Sequence, residues 1–526
     1  MKIDFWKKTG KYFDIENEKY KIWLSGVFSY KDKIVNLLEI AELFVDNNLD
    51  FNDIIGWYRI VIYDKCNFCW YFWGDDAMSQ HFFYYDNGFS DSLLEIEKTS
   101  KNMRPNYGAI AQILGGGYTL NKDTLIDGVF RTDKDCYYYF DGKIILEKSK
   151  KLKNFKDLKK KYDVVSILNP IMKQISNDVS AAICTGGTDS RSVISGLQYL
   201  GSKGIRYVIT GHEDNPDIKV GQIICNRLNV PLTVIRPGER RENWLEDAFR
   251  FTDGEYDVVL GYRHLLRAEW EKANSINIEY GGCAGEFYKN NFYRPFRWFG
   301  KKKNADFYKK QLLNTYLSSQ KWVGKNIRKA EQKNVVKLMD IAVKTDLEHT
   351  KLEKGNRIGY DILAFKSGAI SNGYSRYVTK IDPLMARQIC ASASHDSWIN
   401  HCMHKWQRIQ IKQYCSELSD ILTDQGYNCS MNLFLLTRDY VKKSVFYLKR
   451  VLKIGLGFKS MQAGFWDVDY AKARESETWR NAVAYCKKKD IIESNVEEED
   501  IPMNVTGWII LIGMIFARRA KNDREI

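Results

Sequence analysis

No stretch of the chain is long and apolar enough to read as a membrane span. The best candidate, WIILIGMIFARR at 508–519, is apolar for about a dozen residues, whereas a spanning helix needs about 20. A buried terminal helix is expected there. No secretory leader is evident either, since MKIDFWKKTG is polar and charged. The 11 cysteines are odd in number and lack a disulfide rhythm, so reduced thiols and a cytoplasmic location are expected. Cys66 and Cys69 form a CxxC in IVIYDKCNFCWYFW without a second pair at zinc spacing, and read as two thiols beside a hairpin turn. Internal repeats and low-complexity tracts are also missing, which excludes solenoids and disordered arrays.

What is present is an ordinary globular composition on 526 residues, too long for one core and suited to two domains. Lys plus Arg outnumber Asp plus Glu by 80 to 66; the excess permits an anionic partner without naming one. Lysines crowd at 151–163 and 300–310, which read as solvated linker and loop rather than a nucleic-acid stripe. Residues 20–150 alternate apolar and polar positions and are rich in Tyr, Phe and Trp, predicting antiparallel strands with one buried face. Beyond the lysine-rich stretch, the short apolar runs SAAIC, RYVIT and LTVIRP alternate with helical segments, predicting parallel strands joined by helices. From about 305 onward helical periodicity dominates.

The first of those runs ends in TGGTDS, 185–190. A parallel strand that turns on glycines into a helix gathers unpaired backbone N–H groups at the positive end of the helix dipole, a place suited to phosphate. Gly186 and Gly187 leave room for phosphate oxygens, Thr185 and Ser190 add hydroxyls, and Asp189 is acidic where a hard cation could bridge phosphates. The Walker lysine and a GxGxxG fingerprint are both missing. Taken alone, the segment is equally a tight turn in which Asp189 and Ser190 cap the helix.

The pattern resembles the SGGxDS pyrophosphate loop of the asparagine synthetase family, with Thr185 in place of the first serine. Further similarity follows in the family's order: YVITGHEDNPDIKVGQIICNRLNVPLTVI (207–235), FTDGEYDVVLGYRHLL (251–266), and YGGCAGEFYKNN (280–291) where the family has SGxGxDE. KIDPLMARQI (380–389) and HKWQRIQIK (404–412) complete it. GWYRIVIYD, GDDAMSQHFFYY, GFSDSLLEI and GGGYTLNKDTLIDGVFRT resemble strands of that family's glutamine amidotransferase domain. The resemblance implies an α+β Ntn-type sandwich at 1–150, then at 160–526 an α/β parallel-sheet domain of the adenine nucleotide alpha hydrolase-like (PP-loop) kind with a helical C-terminal part.

It also implies chemistry: a carboxylate activated by ATP with pyrophosphate release, then attacked by ammonia or an amine. Ile183, Thr210 and Gly281 match positions that contact the nucleotide, and Thr185, Gly186, Gly187 and Ser190 match those holding the pyrophosphate. Asp189, with Glu286, would hold magnesium, and Lys405, with Arg408 as a substitute, would neutralise the phosphates. Ile183 is more often plain core, Thr210 can simply close a strand, and Lys405 and Arg408 can equally form a solvated basic face. Glu255 and Asp257 fall on the substrate side by analogy, though loop acids are usually exposed; His212 and His264 flank them.

The pattern is departed from at three places. Gly285 stands where the family's magnesium-binding aspartate falls, and Gly282 where it has an acidic residue. The first dozen residues hold Thr9 but no Cys or Ser, and removing Met1 exposes Lys2, so glutamine hydrolysis is not expected. The implied partners are a small-molecule or peptide carboxylate (aspartate, a sugar acid, a peptide acid), ammonia or an amine, and a second copy in a homodimer; nucleic acid is not favoured. Two alternatives stay open: a nucleotide-binding or assembly protein of this fold whose chemistry has decayed, and a transfer-RNA modifier with a similar loop, which the matched N-terminal half argues against.

Overall fold

The computed structural model describes residues 12–86, 88–99, 103–119, 122–236, 240–289, 320–331, 351–396, 401, 404–424, 426–439, 441–442, 445 and 469–522. The start of the chain, with the question of its nucleophile, and the lysines at 300–310 lie outside these residues.

The alternating, aromatic-rich first part folds as antiparallel strands. These are β1 Tyr12–Glu16, β2 Tyr20–Tyr30, β3 Ile54–Asp64, β4 Cys69–Gly74, β5 Phe83–Tyr85, β6 Gly88–Ser90, β7 Phe130–Arg131, β8 Cys136–Phe140 and β9 Ile145–Ser149. They form a six-stranded sheet in the order β1-β2-β3-β4-β8-β9 and a three-stranded sheet in the order β6-β5-β7. The CxxC lies where the hairpin was expected: Asp64 Oδ1 accepts from the amides of Cys66 at 2.9 Å and Asn67 at 3.0 Å, closing the β3–β4 turn. Cys66 is exposed and Cys69 buried.

The lysine-rich connection is not merely solvated. Phe155 within it is fully buried, and its carbonyl lies 2.8 Å from His395 Nε2. It leads to the second part, where short apolar runs bury both faces of a parallel sheet: β10 Ser180–Ile183, β11 Arg206–Thr210, β12 Leu232–Ile235, β13 Ile278–Tyr280 and β14 Thr379–Ile381. The order is β12-β11-β10-β13-β14. β10 to β12 thus build outward one way and β13 to β14 the other, so the topology reverses between β10 and β13. In open parallel sheets, the crevice beyond the carboxyl ends of the strands at such a reversal is where ligands bind.

The later residues are mainly helical, as expected. Helices Glu477–Lys488 and Thr506–Asn522 pack tightly: a Cβ at Gly513 would lie 2.4 Å from Ala482 Cβ. Residues 508–516 are buried, so the apolar terminal run is core. Among the described residues no helix is long and apolar enough to cross a membrane. The antiparallel and parallel parts share apolar packing: Val27, Ile55 and Trp57 lie in one cluster with Tyr280, Ile381 and Ile389.

Candidate functional site

Two glycine-bearing segments leave the sheet side by side at the reversal: TGGTDS after β10 and GGCAGE after β13. Helix Thr188–Tyr199 starts at Gly187, and no side chain among the described residues caps it. Its first amides therefore lack the usual partner, and its dipole adds positive potential at the same point. The capping alternative is thereby set aside. Ser190 Oγ lies 2.7 Å from Thr185 Oγ1, and Asp189 turns elsewhere.

The two loop glycines differ. Gly186 is held by the protein itself: its amide donates to Asp217 Oδ1 at 2.9 Å, and its carbonyl accepts from the buried Arg191 at 3.3 Å. A Cβ there would meet Asp217, Asp424 and Val220 at 3.0–3.1 Å. At Gly187 the backbone is ordinary, φ −80° and ψ 176°. A Cβ there would meet, among the described residues, the Thr185 hydroxyl alone, at 3.8 Å. The open side of the turn is at Gly187.

Asp189 Oδ2 pairs with Lys289 Nζ at 2.5 Å. Its Oδ1 accepts from Gln407 Nε2 and lies 3.4 Å from Thr188 Oγ1. Thr188 in turn meets His404 Nδ1 and Gln407 Oε1, each at 3.1 Å. The second glycine segment closes against this group. A Cβ at Gly282 would lie 2.7 Å from the Ser190 amide, and one at Gly285 would lie 2.0 Å from Asp189 Oδ1. Between them Ala284 takes φ 72°, a left-handed conformation that costs an alanine about 1–2 kcal/mol and bends the chain towards Asp189.

These contacts decide how the site meets a metal. Magnesium asks for oxygen donors in octahedral array. Both oxygens of Asp189 are engaged, Gly282 and Gly285 bring no carboxylate, and Glu286 is half-buried in the short turn Gly285–Tyr288. Among the described residues no three His, Cys, Asp or Glu side chains converge on one point. As paired here, Asp189 presents no unengaged oxygen to a magnesium ion, and the lysine beside it opposes one.

The other expected residues divide. Ile183 is half-buried at the end of β10. Thr210, at the end of β11, is 4% exposed, and its hydroxyl has no hydrogen-bond partner among the described residues. A buried polar atom left in that state is costly. Gly281 is required by the fold: a Cβ would fall 2.1 Å from Asp382 Oδ1. Lys405 is half-buried in the first turn of helix Lys405–Tyr414, which packs on helix Thr188–Tyr199. Arg408 does not join the site. It is fully buried, donates to the Ser430 carbonyl at 3.0 Å and pairs with the buried Asp439 at 3.3 Å; the next turn of the helix has carried it into the core.

The loop acids are not exposed. Glu255 is buried against His81 at 2.9 Å and Arg131 at 3.5 Å. Burial alone would raise its pKa, but these two partners outweigh burial and hold it below the usual carboxylate value. His212 is exposed; His264 is half-buried with Nδ1 3.2 Å from the Tyr374 hydroxyl, and desolvation pushes its pKa well down. A small, partly open cleft lies on the Glu255 side, bordered by Tyr118, Arg131, Phe365 and Trp508.

Asp257 is a buried helix cap, accepting from the amides of Val259 at 2.9 Å and Leu260 at 3.0 Å. Burial raises its pKa from 3.8 to about 6. The fold therefore prefers the protonated carboxyl; its contribution is full below 3.8 and lost as the pH rises through about 6. Asp257→Asn keeps a capping oxygen and removes the titration. Its stability near pH 8 relative to pH 4, measured by urea unfolding, should exceed the wild-type difference by about 2 kcal/mol.

Lys289, Gln407, His404 and Asp217 were missed as site residues in the sequence. Lys289 and Asp217 lie inside quoted segments, YGGCAGEFYKNN and PDIKVG, but no periodicity signals a partner 100 or 31 residues away. In comparisons with known proteins, no family model and no curated sequence matches the chain.

Proposed function

We propose that the chain is an ATP-dependent amide-forming ligase of the asparagine synthetase type, with an Ntn-type half at 1–150 and a PP-loop half at 160–526. The observation that carries this reading is the uncapped start of helix Thr188–Tyr199, open at Gly187, at the sheet's reversal point. Unpartnered amides at a helix start favour a polyphosphate.

In the proposed reaction a carboxylate oxygen attacks the α-phosphorus of ATP and pyrophosphate leaves. Ammonia or an amine then attacks the acyl carbon of the adenylate, and AMP departs as the amide forms. The loop amides near Gly187 and the hydroxyls of Thr185 and Ser190 hold the departing pyrophosphate. Lys405 neutralises its charge, and the Thr210 hydroxyl takes a polar group of the nucleoside. Positioning and charge neutralisation supply the catalysis.

A second reading, a nucleotide-binding or assembly protein without chemistry, is favoured by the withdrawal of Arg408 into the core. Pyrophosphate release separates the two. Purified protein with ATP, ammonium and pooled carboxylic acids should form AMP and pyrophosphate in an acid-dependent way, and Asp189→Ala should abolish it. ATP binding without turnover on any acid would favour the second reading.

A further inference from the structure

We infer that the glycine turn takes its polyphosphate without a divalent cation, the Lys289 ammonium supplying the countercharge. This rests on the nucleotide-binding reading above and goes further, in assigning the ion that meets the phosphates.

Three observations converge on it. The Lys289 ammonium sits 2.5 Å from Asp189 Oδ2, and its side chain is 18% exposed. A divalent ion bound to Asp189 would have to share that position with a fixed positive charge, which like-charge repulsion opposes. The Asp189 carboxylate also fills the volume that any side chain at 285 would need, since a Cβ there falls 2.0 Å from Oδ1. The pose that pairs Asp189 with Lys289 therefore excludes a second carboxylate at 285. Finally, Gln407 and Thr188 hold the other oxygen, so Asp189 is oriented as an anchor for the ammonium rather than left open as a ligand. The absent acid and the present lysine belong to one arrangement.

The chemistry suits an ammonium. Lysine offers three N–H donors; one is committed to Asp189, and two can meet phosphate oxygens. A lysine held by a carboxylate loses less side-chain entropy on binding than a mobile one. The ligand class is an inorganic or nucleoside polyphosphate.

The test is calorimetric titration of the full chain with ATP and with inorganic pyrophosphate, once in excess EDTA and once in magnesium. Affinity should agree between the two conditions within about threefold. Lys289→Met should weaken binding in EDTA by about tenfold or more, the size expected for a charge-assisted bond, while Lys289→Arg retains most of it. Binding that requires magnesium overturns the inference and leaves the nucleotide site standing. Metal-free binding that survives Lys289→Met overturns the assignment to Lys289. Absence of binding in both conditions overturns the site itself. Should Lys289→Met fail to fold, as judged by thermal unfolding, the wild-type comparison in EDTA and magnesium decides alone.

Discussion

Gly187→Ala should leave the protein as stable as wild type and weaken ATP binding by at least about tenfold, which is about 1.4 kcal/mol. Glycine is not demanded here by the backbone, because φ −80° and ψ 176° suit any residue. Nor is it demanded by packing, since among the described residues a Cβ would meet the Thr185 hydroxyl alone, at 3.8 Å. Unfolding by urea should therefore shift by less than about 0.5 kcal/mol, as for a surface change. A methyl group beside the loop amides would, however, stand where phosphate oxygens must approach. Gly186→Ala is the useful contrast: its Cβ would press on Asp217, Asp424 and Val220 at 3.0–3.1 Å, so it disturbs packing as well. If Gly187→Ala binds ATP as tightly as wild type, the turn is not a phosphate site.

Arg59→Met should cost about 3–5 kcal/mol of stability, the range for stripping one partner from a buried ion pair. Arg59 lies on β3 and is 3% exposed. Its Nη2 pairs with Asp91 Oδ2 at 3.1 Å, and its Nη1 donates to the His81 carbonyl at 3.0 Å and to Asn372 Oδ1 at 3.1 Å. One guanidinium thus ties the antiparallel sheet to helix Lys351–Tyr374. Its loss leaves the Asp91 carboxylate buried beside an apolar side chain without its 3.1 Å partner, and the burial of that charge is the main cost. The double variant Arg59→Met, Asp91→Asn should recover much of the loss, measured as a double-mutant cycle in urea. A single-variant loss below about 1 kcal/mol would place the pair in the solvent-exposed class.

The backbone of the site was legible because local chemistry determines it. A short run of small apolar residues ending in two glycines can hardly do other than leave a buried strand and start a helix, and β10 and helix Thr188–Tyr199 do so. The hairpin at Cys66 and Cys69 and the buried terminal helix were legible for the same reason. Partners were not. The basic spacing of HKWQRIQIK places Lys405 and Arg408 about one turn apart, but periodicity reports a face and not what covers it; Asp439, 31 residues on, draws Arg408 inward. Gly282 and Gly285 read as missing acids, whereas each has a steric reason that becomes visible once Asp189 and Ser190 stand against them. Glu255 and Asp257 looked solvated because their partners, His81 and the amides after Asp257, are matters of tertiary placement and capping.

Trp57 packs where residues of the two sheets meet. Together with Val27 and Ile55 it forms part of the wall behind Tyr280 and Ile381, next to the strand that delivers the second glycine segment. A face that supports a neighbour in this way is not free to drift, whatever chemistry its own sheet does or does not perform. Constraint on the parallel sheet therefore extends into the first 150 residues, and the antiparallel sheet is held in shape by the neighbour it supports.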